Sequence, residues 1–166
     1  MAQQEASGLI DTPAVYTAGW QVRLIQLLAL PGLVVAYYLW LFHQGQVFPS
    51  CAAGSWFDCG QVSGPAAPYA SLGGIPVALI GLIGYAAIFL ITWLREWLPV
   101  VEDNLPELLM GVVGLGFVFT LFLTGLEAFV IHSFCQYCLV SAGIITVMFL
   151  LALSYLRDTR RVTGRS

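Results

Sequence analysis

Residues 134–156 read FCQYCLVSAGIITVMFLLALSYL. From Tyr137 to Leu156 the stretch is apolar on every side of a helical wheel, so it has no face meant for water. It also reaches the roughly 20 residues needed to cross the hydrocarbon of a bilayer. Lipid offers the backbone no hydrogen bonds, which leaves a helix as the only form such a stretch can take there. Residues 22–42, 75–94 and 108–131 have the same character. The fold class that follows is an all-α membrane protein, a four-transmembrane-helix bundle with a long loop, residues 43–74, between the first and second helices.

Composition agrees. Of 166 residues, 59% are hydrophobic and 9% charged, and the mean hydropathy is +0.86. A soluble domain carries about 25% charged residues, so this chain cannot cover itself with a water-facing surface. Its length allows one small domain. Nothing points to nucleic acid, and the implied surroundings are membrane lipid. The net charge of −3 says less than the placement of the charges.

The six basic residues are all arginine: Arg23, Arg95, Arg157, Arg160, Arg161 and Arg165. With four spans, the N-terminus, the second loop and the C-terminus share one side, and every arginine falls there. The positive-inside rule makes that side cytoplasmic. Residues 1–21 are then a cytoplasmic N-terminal segment, loosely ordered up to residue 19. Residues 22–156 form the four-helix catalytic domain, and 157–166 a basic cytoplasmic tail. The expected location is a plasma (bacterial inner) membrane, with loop 43–74 and the short third loop, residues 132–136, outside the cytoplasm. The first 21 residues hold Glu5 and Asp11 but no basic n-region or small-residue cleavage site, so the first span is expected to be its own anchor. Trp20, Trp40, Trp93 and Trp97 fall near span ends, as interfacial aromatics do. A cytoplasmic turn is expected over residues 95–107, which contain Pro99 and Pro106.

Loop 43–74 is rich in Gly, Pro, Ser and aromatic residues, and its length suggests a functional loop. Trp56, Phe57 and Tyr69 suggest that it lies down on the bundle, with a short helical piece. Small residues recur in the second span (Gly74, Ala78, Gly81, Gly84) and the third (Gly111, Gly114, Gly116, Thr120, Thr124). Close helix packing is their default use, and room for a flat ligand is the alternative.

The chain has four cysteines. Cys51 and Cys59 stand in the loop with seven residues between them, and Cys135 and Cys138 form a C-x-x-C at the start of the fourth span. In an oxidising compartment paired cysteines usually form structural disulfides. A C-x-x-C bridge, however, closes too small a ring to restrain the unfolded chain much. A helix N-terminus also stabilises a thiolate and favours exchange. Structural zinc is the remaining alternative, although zinc sites usually show two close pairs and this chain has one. The redox reading is preferred, with no metal. A dithiol embedded in a membrane makes sense if its electron acceptor is lipid-soluble, and a quinone is the obvious candidate. Cys138 lies one helical turn deeper, the better placed to touch it. Cys135, nearer water, would exchange with Cys51 or Cys59, and the loop pair, most exposed, would meet an external thiol protein.

The runs Trp56-Phe57-Asp58-Cys59-Gly60-Gln61-Val62-Ser63, Tyr69-Ala70-Ser71-Leu72-Gly73-Gly74-Ile75-Pro76 and Phe134-Cys135-Gln136-Tyr137-Cys138-Leu139-Val140-Ser141-Ala142 carry a resemblance. Over residues 20–156 the chain resembles the vitamin K epoxide reductase family, in its bacterial branch without a fused thioredoxin-like domain. The resemblance implies a four-helix bundle around a quinone of ubiquinone or menaquinone type. Cys135–Cys138 would be the active-site dithiol and Cys51/Cys59 the shuttle pair. Cys138, Ser71 and Phe134 would lie at the quinone. So would Ala70 and Ala142, which stand where vertebrate members carry the Asn and Tyr that contact vitamin K. The implied activity is thiol–disulfide oxidoreduction: oxidation of a separate extracytoplasmic thioredoxin-like (DsbA-like) partner, coupled to quinone reduction and so to disulfide bond formation. DsbB-type enzymes share that role but carry the two cysteine pairs in the opposite order. Epoxide reduction is the alternative within enzymes, and a structural membrane protein with loop-pinning disulfides the alternative outside them.

Five further residues bear on the site. Ser71 could bond a cysteine or the loop backbone, or cap the second helix. Asp58 is expected to be solvated beside Cys59. Glu127 is a functional candidate by its place in a span, weighed against an interfacial, solvated carboxylate, which is preferred. His132 could supply a proton but reads as incidental. Ser141 is expected to pack or to bond back to its own helix.

Overall fold

The structure, a computed structural model, describes residues 12–48, 51 and 56–163. Four of its helices are long and apolar enough to cross a membrane: Gly19–His43, Val77–Leu94, Asn104–Ile131 and Gln136–Arg161. The first three belong to α1 (Thr12–His43), α3 (Val77–Leu94) and α4 (Pro99–Leu126), the last continued by a π-helical turn over Glu127–Ile131. The fourth belongs to α5 (Gln136–Thr163), and a five-residue helix, α2 (Cys59–Ser63), lies in the first loop. The chain is thus a multi-pass, all-α membrane protein.

The helices run further than the sequence suggests. Residues 12–19 are helical rather than loosely ordered, α4 starts within the expected 95–107 turn, and α5 carries residues 157–163 of the basic tail. Apolarity marks only the part of a helix that lipid must cover, and intrahelical hydrogen bonds continue beyond it. Residues 1–11 and Arg165 lie outside the described residues, as do Glu5 and Asp11.

The second span starts two residues late for a physical reason. Ser71–Leu72 and Ile75–Pro76 form a two-residue antiparallel ladder, with Ser71 opposite Pro76. The turn between them is Gly73–Gly74, with φ of 58° and 87°. Two successive left-handed residues make the tight hairpin turn that favours glycine at both positions. Ser71 therefore sits in the ladder and does not cap α3, whose N-cap is Pro76 with no side-chain cap bond.

Around the bundle, α1 packs on α3 and on α5, α5 packs on α4, and the α3–α4 seam is the loosest. The main core joins Ile25 and Ala29 of α1, Tyr85 and Ile88 of α3, Leu109 and Val113 of α4, and Ile145 and Met148 of α5. Gly32 permits the closest approach, because a Cβ there would overlap the Tyr85 ring. Outward-facing residues such as Val34, Leu115 and Phe129 are more than 60% exposed, as a lipid-facing surface requires. Trp20, Trp93 and Trp97 are exposed near the ends of spans.

The two ends of the bundle differ chemically. At one, Gln21 Nε2 donates to Asp158 Oδ2 at 3.4 Å and Arg160 pairs with Glu107 at 3.6 Å, tying the start of α1 and α4 to the end of α5. The described arginines belong to this end. The cysteines belong to the other.

Candidate redox site

The loop is laid across the bundle end by a short backbone pairing. Phe57 forms a parallel bridge with Phe134. The Phe134 N–H donates to the Trp56 carbonyl at 2.9 Å, and the Asp58 N–H to the Phe134 carbonyl at 3.2 Å. Asp58 then starts α2, its Oδ1 accepting the Gln61 backbone N–H and its Oδ2 the Gln61 side chain, each at 3.1 Å. Asp58 is thus an N-cap, half-buried, not a freely solvated carboxylate.

This pairing brings the cysteines together. Cys59 and Cys135 belong to one buried cluster with Leu39, Phe42 and Val62, and Cys51 and Cys138 pack at its edge. Cys51 and Cys59 form a disulfide, while Cys135 and Cys138 are free thiols. Exposure departs from the expected gradation. Cys135 is fully buried and Cys59 is 2% exposed, because the 56–59 segment covers both. Cys51 is half-buried. The loop disulfide borders a shallow groove between Phe48, Phe57 and Gly60. Among the described residues, no three metal-ligating side chains converge.

The C-x-x-C meets the bundle end at the start of α5. Cys135 precedes the helix, and its carbonyl accepts the Leu139 N–H at 3.0 Å. Its own N–H donates to Glu127 Oε2 at 3.3 Å. The Cys138 thiol, by donating to the Cys135 sulfur, lowers the Cys135 pKa to about 6, against the opposing effect of burial. Cys135 is therefore the thiolate of the pair near neutral pH. Ser63, at the end of α2, holds its hydroxyl 3.5 Å from the Cys138 sulfur.

Below the cysteines a cavity of about 390 Å³ opens along the loose α3–α4 seam. That volume is within the range of small-molecule sites. The wall is mostly apolar, and Cys138 is part of it. Ala78, Gly81 and Gly84 of α3 and Gly116, Thr120 and Thr124 of α4 also line it, so these small residues leave room for a ligand. Gly114 instead packs toward Phe149.

Of the residues expected at a quinone, Cys138 and Ala70 line the cavity, and Ser71, Phe134 and Ala142 do not. Ser141 lines it too, but its hydroxyl bonds the Tyr85 hydroxyl at 2.9 Å rather than its own helix. Glu127 is only 4% exposed and forms part of the wall, so it is not a solvated interfacial carboxylate. His132 is exposed, with a left-handed φ of 58° closing the π-helical turn. His43, Tyr69 and Tyr85 complete the polar part of the wall, and among the described residues His43 Nδ1 is buried without a hydrogen-bond partner. His43 was not legible as a site residue because it reads as the end of an apolar span. Its place in the wall depends on how α1 packs.

The sequence model of the vitamin K epoxide reductase family matches residues 23–153. No curated protein matches the chain significantly. The match covers all four cysteines and most of the four spans, and the family's chemistry is membrane redox chemistry on thiols and quinones. The chain belongs to the vitamin K epoxide reductase family and is a membrane oxidoreductase.

Proposed function

We propose that this protein oxidises the dithiol of an extracytoplasmic thioredoxin-like protein and passes the electrons to a membrane quinone, so driving disulfide bond formation. The observation that carries the reading is the position of Cys138. Its thiol stands in the wall of an apolar cavity while its C-x-x-C partner, Cys135, is buried with Cys59 of the loop disulfide.

The cavity's volume, its apolar wall and the thiol in that wall fit a quinone ring. A quinone supplies a two-electron, two-proton acceptor soluble in the bilayer. The rest of the relay is the work of this chain. Cys51, the more exposed loop cysteine, is the atom an external thiolate attacks. Cys59 is thereby released as a thiolate beside Cys135. The partner's second thiolate displaces Cys51 as the partner disulfide forms. Cys59 attacks Cys135 of an oxidised Cys135–Cys138 pair and releases the Cys138 thiolate. Cys51 then attacks Cys59, which closes the Cys51–Cys59 disulfide again and leaves Cys135 reduced. The resulting arrangement, a loop disulfide with a reduced C-x-x-C, is the form loaded to reduce an acceptor, and the Cys51–Cys59 disulfide beside free Cys135 and Cys138 supports it. Quinones are usually the stronger oxidants, and for a two-electron couple about 30 mV is worth 1.4 kcal/mol, which sets the direction of net flow.

The arginine-bearing end is taken as cytoplasmic, which puts the cysteine end outside a plasma (bacterial inner) membrane. Ala70, small and buried in the cavity wall, offers no side-chain hydrogen bond to an epoxide or a quinone oxygen, and this favours quinone reduction over epoxide reduction.

The test mixes purified protein, a reduced thioredoxin-like protein and quinone, and follows quinone absorbance. Wild type should consume quinone, and Cys138→Ala should not. A wild-type protein that never consumes quinone sinks the relay. Equal rates in the two proteins remove the C-x-x-C from it.

A further inference from the structure

We infer that Glu127 is the proton carrier of the site: it takes the proton of the Cys138 thiol as the Cys135–Cys138 disulfide forms and holds it at the cavity wall for the reduced acceptor. This rests on the quinone-reducing function proposed above and adds a residue to it.

The geometry around Glu127 is unusual for a carboxylate. It begins the π-helical turn Glu127–Ile131, a local widening of the helix that often marks a functional position. Its Oε2 accepts the backbone N–H of Cys135 at 3.3 Å. Its carboxyl group and the Cys138 thiol line the same cavity and interact electrostatically there. One carboxyl group thus bonds the backbone of one member of the C-x-x-C and shares a cavity wall with the other.

A structural role does not account for a charged residue here. Accepting one N–H needs only an amide or hydroxyl oxygen. Burying a carboxylate without a cation carries a large desolvation cost. Among the described residues Glu127 has no ion-pair partner, and the described arginines belong to the opposite end of the bundle. The titratable groups that share its surroundings are Cys135, Cys138, His43, Tyr69 and Tyr85, and none is a permanent cation. Asp58 belongs to the α2 cap and does not line the cavity.

The step balances. Cys135 thiolate, Cys138 thiol and Glu127 carboxylate become the Cys135–Cys138 disulfide, a protonated Glu127 and two electrons, which the quinone accepts. The bond broken is the Cys138 S–H, and the bond formed is S–S. Two protons are needed to complete a hydroquinone. One is held by Glu127, and the other, lost to solvent when Cys135 ionised, is taken back from solvent.

Glu127→Gln separates proton transfer from backbone capping, because the amide oxygen still accepts the Cys135 N–H. Two readouts decide the question. In quinone-free protein, the C-x-x-C is oxidised chemically and the infrared difference spectrum recorded. Wild type should show a carboxyl band that appears or moves with the disulfide, absent in Glu127→Gln and displaced in Glu127→Asp. In turnover, Glu127→Gln should lower kcat for quinone reduction by about 10²–10⁴-fold, the usual contribution of a positioned acid–base group. Its KM, and the exchange of the Cys51–Cys59 disulfide with dithiothreitol, should be unchanged. A carboxyl band insensitive to position 127, or a Glu127→Gln enzyme as fast as an active wild type, overturns the inference. An inactive wild type instead overturns the proposed function, and the infrared experiment still judges Glu127. If Glu127→Gln does not fold, Glu127→Asp carries the infrared test alone.

Discussion

Ser63 Oγ lies 3.5 Å from the Cys138 sulfur, and one turn earlier on the same short helix Cys59 is buried beside Cys135. Helix α2 therefore lies over the C-x-x-C, with its own disulfide half in the buried cluster of Cys135 and its hydroxyl against Cys138. A disulfide half, a polar contact and a cavity-lining thiol lie within a few residues of one another. Each of these contacts can be broken separately.

The burial of Cys59 and Cys135 in one cluster predicts which mixed disulfide can form. In the double variant Cys51→Ala/Cys138→Ala, mild oxidation should link Cys59 to Cys135, read by mass spectrometry of the peptide that joins the loop to α5. Two reactive, unlinked thiols under those conditions would contradict the geometry.

The lowered Cys135 pKa predicts the sign of a pH effect. With its pKa at about 6, Cys135 is a thiol below that pH and a thiolate above it. Ultraviolet thiolate absorbance of the reduced protein should rise through about pH 6 and level off before neutrality. Cys138→Ala removes the donor that causes the shift and should move the rise upward, toward the ordinary thiol value of about 8.5. A rise at the same pH in both proteins would assign the shift to another cause.

The cap on α2 predicts a stability cost that is read in chemistry. Asp58→Ala removes the acceptor of the Gln61 N–H and should cost about 0.5–2 kcal/mol of local stability. The loosened helix should expose the Cys51–Cys59 disulfide, so reduction by dithiothreitol should be faster than in wild type while the transmembrane helices keep their circular dichroism. An unchanged reduction rate would mean that the Phe57–Phe134 pairing alone holds the loop.

Gly32 predicts a steric effect on the cavity. A side chain there would displace the Tyr85 ring and break its bond to Ser141. Overpacking of this kind costs typically about 1–3 kcal/mol. Gly32→Val should lower the melting temperature in detergent and raise the KM for quinone, with the loop cysteines reacting as in wild type. Tyr85→Phe removes the hydroxyl but keeps the ring, so it should cost only about 1 kcal/mol. Equal melting temperatures for Gly32→Val and wild type would show that the ring moves aside freely.

Residues 134–156 alone determined much about this protein. A run of apolar residues with no polar face must be a spanning helix, because lipid leaves the backbone no other partner. Four such runs fix the bundle, and the arginines distinguish its two ends. The pairs Cys51/Cys59 and Cys135/Cys138 were legible as two dithiols from spacing and helix position. What sequence could not supply was distance between segments far apart in the chain. That Cys135 would be buried rather than near water depends on Phe57 pairing with Phe134, a backbone contact that any side chains could make. That Glu127 would face inward depends on how α4 packs at its end, where the π-helical turn begins, and that His43 would reach a cavity depends on how α1 packs against a loose α3–α4 seam. Transmembrane helices are specified locally, by solvation of their own backbone. The site is specified by where they touch, and only the tertiary structure decides that.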